Sequence, residues 1–271
     1  MLQVTITDSE FELFRDFIFQ QAGISLSDEK KTLVSSRLNK RLRHFSLASF
    51  SEYFTLIMDS SHLDERQMMI DLLTTNETYF FREPKHFEYL KEEVLDQWQG
   101  GAFRVWSAAS SSGEEAYSIA MLLDDVLGVK YPWEVLGSDI SSRVLKKARQ
   151  GHYLQERIEG IPKPYLRKYC LKGTGEHQGT LLIDKKLRSK VKFEHVNLKE
   201  SLGHLGGFDI IFLRNVMIYF NKETKQEVIK QIMKEMHTNS LLIIGHSESL
   251  KGINDDLVSV FPTVYKKTGS S

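Results

Sequence analysis

The chain has a single cysteine, Cys170, in 271 residues. One thiol excludes an internal disulfide framework and a cysteine-based zinc site. No run approaches the roughly 20 apolar residues that span a bilayer. The opening MLQVTITDSEFELF lacks the basic-then-apolar pattern of a signal peptide, so a cytoplasmic protein is expected. Neither charge dominates, with 36 Lys+Arg against 36 Asp+Glu and a pI of about 7.1. That balance excludes a uniformly basic nucleic-acid coat and an acidic solvating chain. It leaves room for local patches. The 41% hydrophobic and 27% charged content is that of an ordinary globular chain, long enough for two domains.

The pattern changes near residue 74. Before it everything reads as helix. Asp8 or Ser9 can cap a helix carrying Phe11, Phe14 and Ile18 on one face and stopping near Gly23. Val34, Leu38, Leu42 and Phe45 share one face of a second helix over about 28–44. Ser49 can cap a third, through Tyr53, Leu56 and Ile57, and a fourth covers about 64–73. After residue 95, strands alternate with helices: 103–109, 133–139, 191–198, 208–215 and 241–245 read as strands, and 260–267 as a last one at an edge, because of Pro262. Helices are expected after the first two strands, the second stopping at Gly151, and over about 222–237. Such alternation implies parallel βαβ units and a sheet covered on both faces. Between Gly151 and Val191 the alternation breaks, and Tyr169–Asp184 reads as an inserted antiparallel hairpin punctuated by glycine.

In open α/β sheets, ligands bind beyond the carboxyl ends of the strands. The first strand ends in Ala108-Ala109-Ser110-Ser111-Ser112-Gly113, small residues that let backbone approach a ligand at a helix N-terminus. Glu114 and Glu115 follow, and a carboxylate there could hold a cationic group. The second strand ends in Asp139, a position that commonly takes ribose hydroxyls. These features fit a dinucleotide or an adenosyl ligand. The missing G-x-G-x-x-G and the acids beside the loop, which would repel a pyrophosphate, favour S-adenosylmethionine. A blander reading stands beside it: acids suit a helix first turn, and Asp139 could simply cap the next helix.

The segments TTNETYFFRE (74–83), VWSAASSSGEEAYSIAM (105–121), SDIS (138–141) and FLRNVMIYF (212–220) resemble the CheR chemotaxis receptor methyltransferases. The likeness runs over essentially the whole chain. It implies an N-terminal all-α helical domain (1–73) and a linking, cofactor-contacting segment (74–95). A Rossmann-like S-adenosylmethionine-dependent methyltransferase domain (96–267) follows, with a small antiparallel β-subdomain inserted at about 154–190, then a tail (268–271). It implies methyl transfer to glutamate side chains of methyl-accepting chemotaxis receptors, giving methyl esters. By the same resemblance Asn76, Thr78 and Arg82 belong around the methionine end of the cofactor. Glu115, or its neighbour Glu114, supplies the loop acid, and Asp139 holds the ribose. Asn197 and Leu198 flank the adenine, and Asn215 and Val216 close the pocket. Ala116 stands where relatives often have proline, which removes no chemistry.

A glutamate carboxylate, with a pKa of about 4.3, is ionised near pH 7, so its methylation needs no general base. Accordingly the sequence holds no Ser-His-Asp or Cys-His constellation; Gly245-His246-Ser247-Glu248-Ser249 lacks the last glycine of a nucleophile elbow. Arg82 and Tyr219 are the candidate catalytic residues, Arg82 on the cofactor carboxylate or as a loose guide and Tyr219 as a hydrogen-bond donor near the methyl. Tyr79, Phe80 and Phe81 read as packing between the domains or as a dry wall around the methyl.

Residues 1–29 hold six acids and one base, and residues 30–44 hold six bases and no acid. Lys30, Arg37, Lys40, Arg41 and His44 fall on one helical stripe. It reads as a solvated face or, through the resemblance, as a dock for an acidic helical region of a receptor, with Arg37, Lys40 and Arg41 as contacts and association at membrane-bound receptors. Two rivals use the same features: a nucleic-acid methyltransferase with a basic helix on phosphates, and a non-catalytic cofactor-binding module. No recognition motif supports the first. The hairpin insertion could grip a receptor's C-terminal tail as an added strand. Nine histidines suggest no metal set, and His195 and His246 read as satisfied buried residues.

Overall fold

The computed structural model describes residues 4–98 and 100–269. Residues 1–3 and the last two residues of the expected tail lie outside this range, as does Gln99. The first unit is four helices, α1 (Asp8–Ala22), α2 (Lys31–His44), α3 (Phe50–Met58) and α4 (Leu63–Leu73). Thr7, not Asp8 or Ser9, caps α1, because Glu10 three residues on completes a reciprocal capping box. Gly23 ends α1 in a left-handed conformation and Ser49 caps α3, both as expected. Phe14 is fully buried, with Phe50, Tyr53 and Phe54 at ring distances of 6.2, 6.1 and 5.3 Å.

An irregular stretch (74–83) leads to α5 (Pro84–Tyr89), which runs into a π-helical turn, Leu90–Leu95. The α/β unit follows: β1 (Phe103–Ala108), α6 (Glu114–Val126), β2 (Trp133–Asp139), α7 (Ser142–Gln150), β3 (His152–Leu154), α8 (Lys163–Tyr169), β4 (Cys170–Lys172), β5 (Thr180–Ile183), α9 (Lys185–Arg188), β6 (Val191–His195), β7 (Phe208–Leu213), α10 (Lys222–Lys234), β8 (Met236–Ile244), β9 (Leu257–Phe261) and β10 (Val264–Lys267). Seven strands form one sheet in the order β6-β2-β1-β7-β8-β10-β9. The first five are mutually parallel, and β10 joins antiparallel to β8 and β9. Buried apolar residues cover both faces. The order reverses between β1 and β7, which opens a crevice at their carboxyl ends.

Three boundaries differ from expectation. The strand expected over 260–267 is two antiparallel strands, with Pro262 and a left-handed Thr263 in the turn between them. The last helix stops at Lys234, because Met236 already pairs with Phe208 in the sheet. The insertion has a third strand, in the order β3-β5-β4, so the hairpin is extended by the residues just after Gly151.

The two units are stitched together by polar contacts. Asp71 of α4 accepts from Ser142 N–H, the Ser142 hydroxyl and Arg143 N–H at the start of α7 (3.0, 3.0 and 3.1 Å). Lys199 and Asn197 donate to the last carbonyls of α1. Ser25 N–H donates to the Tyr219 carbonyl (2.8 Å), and Ile24 bridges Phe220. The helical unit therefore lies against the open end of the sheet.

Candidate active site

One pocket lies at the carboxyl ends of β1, β2 and β7, walled on its far side by residues 22–33 and 73–78. Asn76, Thr78, Arg82, Glu115, Asp139, Asn197, Leu198, Asn215, Val216 and Tyr219 all line it. All ten expected cofactor and catalytic residues therefore converge, from five separated stretches of chain. Backbone geometry marks the same place. Of eight non-glycine residues with positive φ among the described residues, Ala109, Ser111 and Asn215 line the pocket and Phe81 and Glu83 flank it. Left-handed backbone costs about 1–3 kcal/mol per residue and tends to gather at functional sites.

The choice between the two loop acids is decided by burial and partners. Gly113, with φ of 94°, starts α6 in a conformation that suits glycine. The next residue, Glu114, points away from the pocket, fully buried against Arg157 (2.6 Å). Glu115 faces the pocket, accepting from the Ser107 hydroxyl (2.7 Å), with Arg214 at 3.5 Å. Burial raises the Glu115 carboxyl against the pull of Arg214 and Ser107. Asp139 at the end of β2 accepts from Ser111 N–H and Ser141 N–H (2.9 Å each). Burial pushes it up to about 6 in spite of those bonds.

Arg214 is the pocket residue that motif matching passed over. Its signal was present in FDIIFLRN, where a cation ends an apolar strand that must be buried. Its side chain is 1% exposed. Nη2 donates to the Arg82 carbonyl and lies 3.3 Å from Glu83, while Nε and Nη1 have no hydrogen-bond partner. Buried donors without acceptors are rare in native proteins, so they point to an anionic group that belongs in this pocket. The methionine carboxylate of S-adenosylmethionine fits that demand, Glu115 fits its ammonium and Asp139 its ribose.

Asn215 is held by a second carboxylate. Glu248 accepts from Asn215 N–H (2.9 Å), Gly245 N–H (2.8 Å) and Ile218 N–H (3.3 Å). A Cβ on Gly245 would stand 2.6 Å from Asn215 Nδ2 and 2.9 Å from Glu248 Oε2, so any larger residue there would displace these two side chains. Arg82 donates to the Glu77 carbonyl (3.2 Å), stands over the Tyr79 ring (5.6 Å) and forms no ion pair among the described residues.

Several expectations need correction. Phe80 and Phe81 pack inside the α/β unit and Tyr79 is exposed, so the three rings neither join the domains nor wall the pocket. His195, the last residue of β6, and His246, two residues beyond β8, are exposed and not buried. Two of the five residues of the basic stripe, Arg37 and Arg41, are committed internally. Arg37 donates to the carbonyls of Leu72, Leu73 and Thr74 at the C-terminal end of α4. Arg41 pairs with Glu65, which also accepts from Tyr53. Of the three expected receptor contacts, only Lys40 is exposed, and Lys30, Arg43 and His44 of the same basic segment are exposed as well.

Residues 76–266 match the family model described as CheR methyltransferase, SAM binding domain, and residues 9–74 match the CheR methyltransferase, all-alpha domain. The chain is 40% identical over 271 residues to the chemotaxis protein methyltransferase of Escherichia coli (strain K12), covering 98% of this chain and 94% of that one. It is 41% identical over 266 residues to chemotaxis protein methyltransferase 2 of Pseudomonas aeruginosa, covering 96% and 93%. The protein of Borreliella burgdorferi with the same description is 35% identical, covering 98% and 96%. With both domains matched, the chain belongs to the CheR methyltransferase family.

Proposed function

We propose that this chain methylates glutamate side chains of methyl-accepting chemotaxis receptors, producing glutamyl methyl esters. The observation that carries the reading is the pocket itself, where Glu115 and Asp139 suit an ammonium and a ribose, Arg214 donors without hydrogen-bond partners suit a carboxylate, and Arg82, in no ion pair among the described residues, lines the same pocket as Tyr219. S-adenosylmethionine, when bound, supplies an electrophilic methyl. What remains for the protein is to bring up an already ionised carboxylate and keep it in line. Charge is lost as carboxylate meets sulfonium, so a polar cage would favour the separated charges over the transition state. Positioning and water exclusion are therefore the means available.

In this reading Arg82 guides and Tyr219 orients the incoming carboxylate. Arg82 is suited to a loose role because a carbonyl and an aromatic ring hold it, leaving its charge uncompensated. Tyr219 is fixed through its backbone by Ser25, so the helical domain sets its place. The receptor's acidic helical region docks beside the pocket on the exposed bases of α2, Lys40 first. An extended receptor tail adds to the small sheet, whose edge strands β3 and β4 expose Leu154 and Leu171. The committed roles of Arg37 and Arg41 also weaken the nucleic-acid alternative, since they remove two cations from any phosphate track.

The assignment of roles is tested by steady-state methylation of receptor-containing membranes. Tyr219→Phe is expected to lower kcat with little change in receptor KM, and Arg82→Ala to lower both kcat and cofactor affinity. Unchanged turnover in Tyr219→Phe, together with a loss confined to receptor KM in Arg82→Ala, would overturn it.

A further inference from the structure

Behind Arg214 and Asn215, Glu83, His86 and His246 come together with two of their atoms unpartnered. Glu83 precedes α5 with left-handed backbone, His86 lies in the first turn of α5, and His246 follows β8. The His86 ring is fully buried, with Nε2 2.8 Å from the Thr263 hydroxyl. That hydroxyl has one proton and gives it to the Pro262 carbonyl (2.7 Å). Its oxygen can then accept from His86 Nε2–H, the tautomer that leaves the Nδ1 lone pair free to bind a cation.

Nδ1 faces Glu83 Oε2 at 3.5 Å, and neither atom has a hydrogen-bond partner. In the Nε2–H tautomer two lone pairs face one another in a buried place, an arrangement that a cation between them would relieve. Arg214 stands 3.3 Å from Oε2 without hydrogen-bonding to it. His246 completes the set. Its half-exposed ring is edge-on to His86 at 4.8 Å, with Nε2 4.0 Å from Glu83 Oε2. The three donor atoms all lie within 4.8 Å of one another. Ligands held at about 2.0–2.1 Å around a tetrahedral zinc ion stand about 3.3 Å apart, so small side-chain shifts would close the set.

We propose that Glu83 Oε2, His86 Nδ1 and His246 Nε2 form a binding site for a divalent transition-metal ion of the zinc class, with its fourth position open towards solvent beside His246. Two imidazoles and one carboxylate suit that class better than magnesium or calcium. The supporting contacts also have the usual form. His86 gives its other N–H to an oxygen, and Glu83 Oε1 is oriented by His246 N–H (3.2 Å) and the Asn215 amide (3.4 Å). The ion replaces Arg214 as the main partner of Oε2, while Arg214 keeps Glu115 and the Arg82 carbonyl.

Titration of the full chain with Co2+, a coloured stand-in for Zn2+, tests the site. One equivalent is expected to give the intense visible absorption of tetrahedral cobalt and to be displaced by Zn2+. Loss of even a supporting contact costs about 10–100-fold in metal affinity, so His246→Ala, at the exposed member, is expected to weaken binding about tenfold or more. Glu83→Gln should do the same, with circular dichroism confirming the fold, and His204→Ala at an unrelated exposed histidine should change nothing. No tetrahedral spectrum in the native protein, or a spectrum and affinity unchanged in both His246→Ala and Glu83→Gln, would overturn the proposal.

Discussion

The Arg214 guanidinium stands 3.5 Å from the Glu115 carboxylate, and both side chains are nearly out of solvent, 1% and 13% exposed. The pair joins the end of β7 to the start of α6 across the floor of the pocket. It places one positive and one negative group where a zwitterionic amino acid would meet its complement. Removing the Glu115 charge is expected to weaken cofactor binding. A hydrogen bond to a charged group contributes about 1.5–3 kcal/mol, so Glu115→Gln should raise the cofactor Kd about 10–100-fold. Isothermal titration with S-adenosylhomocysteine measures this. Glu114→Gln should instead lower thermal stability, because Glu114 serves Arg157 and not the pocket.

Cofactor affinity should depend on pH through Asp139. Its carboxyl is raised to about 6 in the folded protein from an ordinary value of 3.8. A carboxyl raised on folding contributes stability that is fully present below its unfolded value and is lost as pH rises through the folded value. Ribose binding draws on the ionised form and therefore strengthens over the same interval. The Kd for S-adenosylhomocysteine is expected to fall as pH rises from 5 to about 7. The slope should persist in Glu115→Gln and flatten in Asp139→Asn. A Kd constant over this range in the native chain contradicts the assignment.

Arg41 is expected to matter for stability before it matters for docking. Glu65 is 8% exposed and Arg41 21%. Removing one partner of a buried pair costs about 3–5 kcal/mol, because the other charge is left uncompensated. Arg41→Ala should therefore lower the unfolding free energy of the helical domain by about 3 kcal/mol in urea titrations. Lys40→Glu should leave it unchanged. If α2 docks the receptor, Lys40→Glu raises receptor KM at low salt and the difference fades as salt is added. Unchanged KM at every salt concentration would remove α2 from the interface.

The seam between the domains should be sensitive at Asp71, which satisfies two backbone donors at the start of α7 and one hydroxyl. Asp71→Ala leaves those donors unpaired, at about 1–3 kcal/mol. Because residues 22–33 and 73–78 wall the pocket, the same change should also weaken cofactor binding. Urea titration and calorimetry on one variant check both effects.

What could be read from sequence follows the distance over which each feature is decided. Helices α1 to α4 and the parallel strands were legible because period and capping are local. The placing of Asp139 and of the pair Glu114-Glu115 at one crevice was legible because strand ends in an open α/β sheet face it, but which of the two acids faces the pocket was not. Thr7 was missed as a cap although its partner Glu10 stands three residues on, a local signal that was available. The fate of Arg37 and Arg41 was not legible: their partners lie on α4, and only tertiary packing shows that a basic helix face is partly used up. Glu83, His86 and His246 likewise meet only in the folded chain, where 160 residues of sequence separation between His86 and His246 become a 4.8 Å ring contact.

The central claim is methyl transfer to receptor carboxylates by this pocket. It is tested most directly by incubating the protein with methyl-labelled S-adenosylmethionine and receptor-containing membranes, then treating the labelled material with alkali. The account predicts label on receptor glutamates that mild alkali releases as methanol, absent with Tyr219→Phe and Glu115→Gln combined. Label that alkali does not release, label on nucleic acid, or tight cofactor binding with no transfer to any receptor would contradict it.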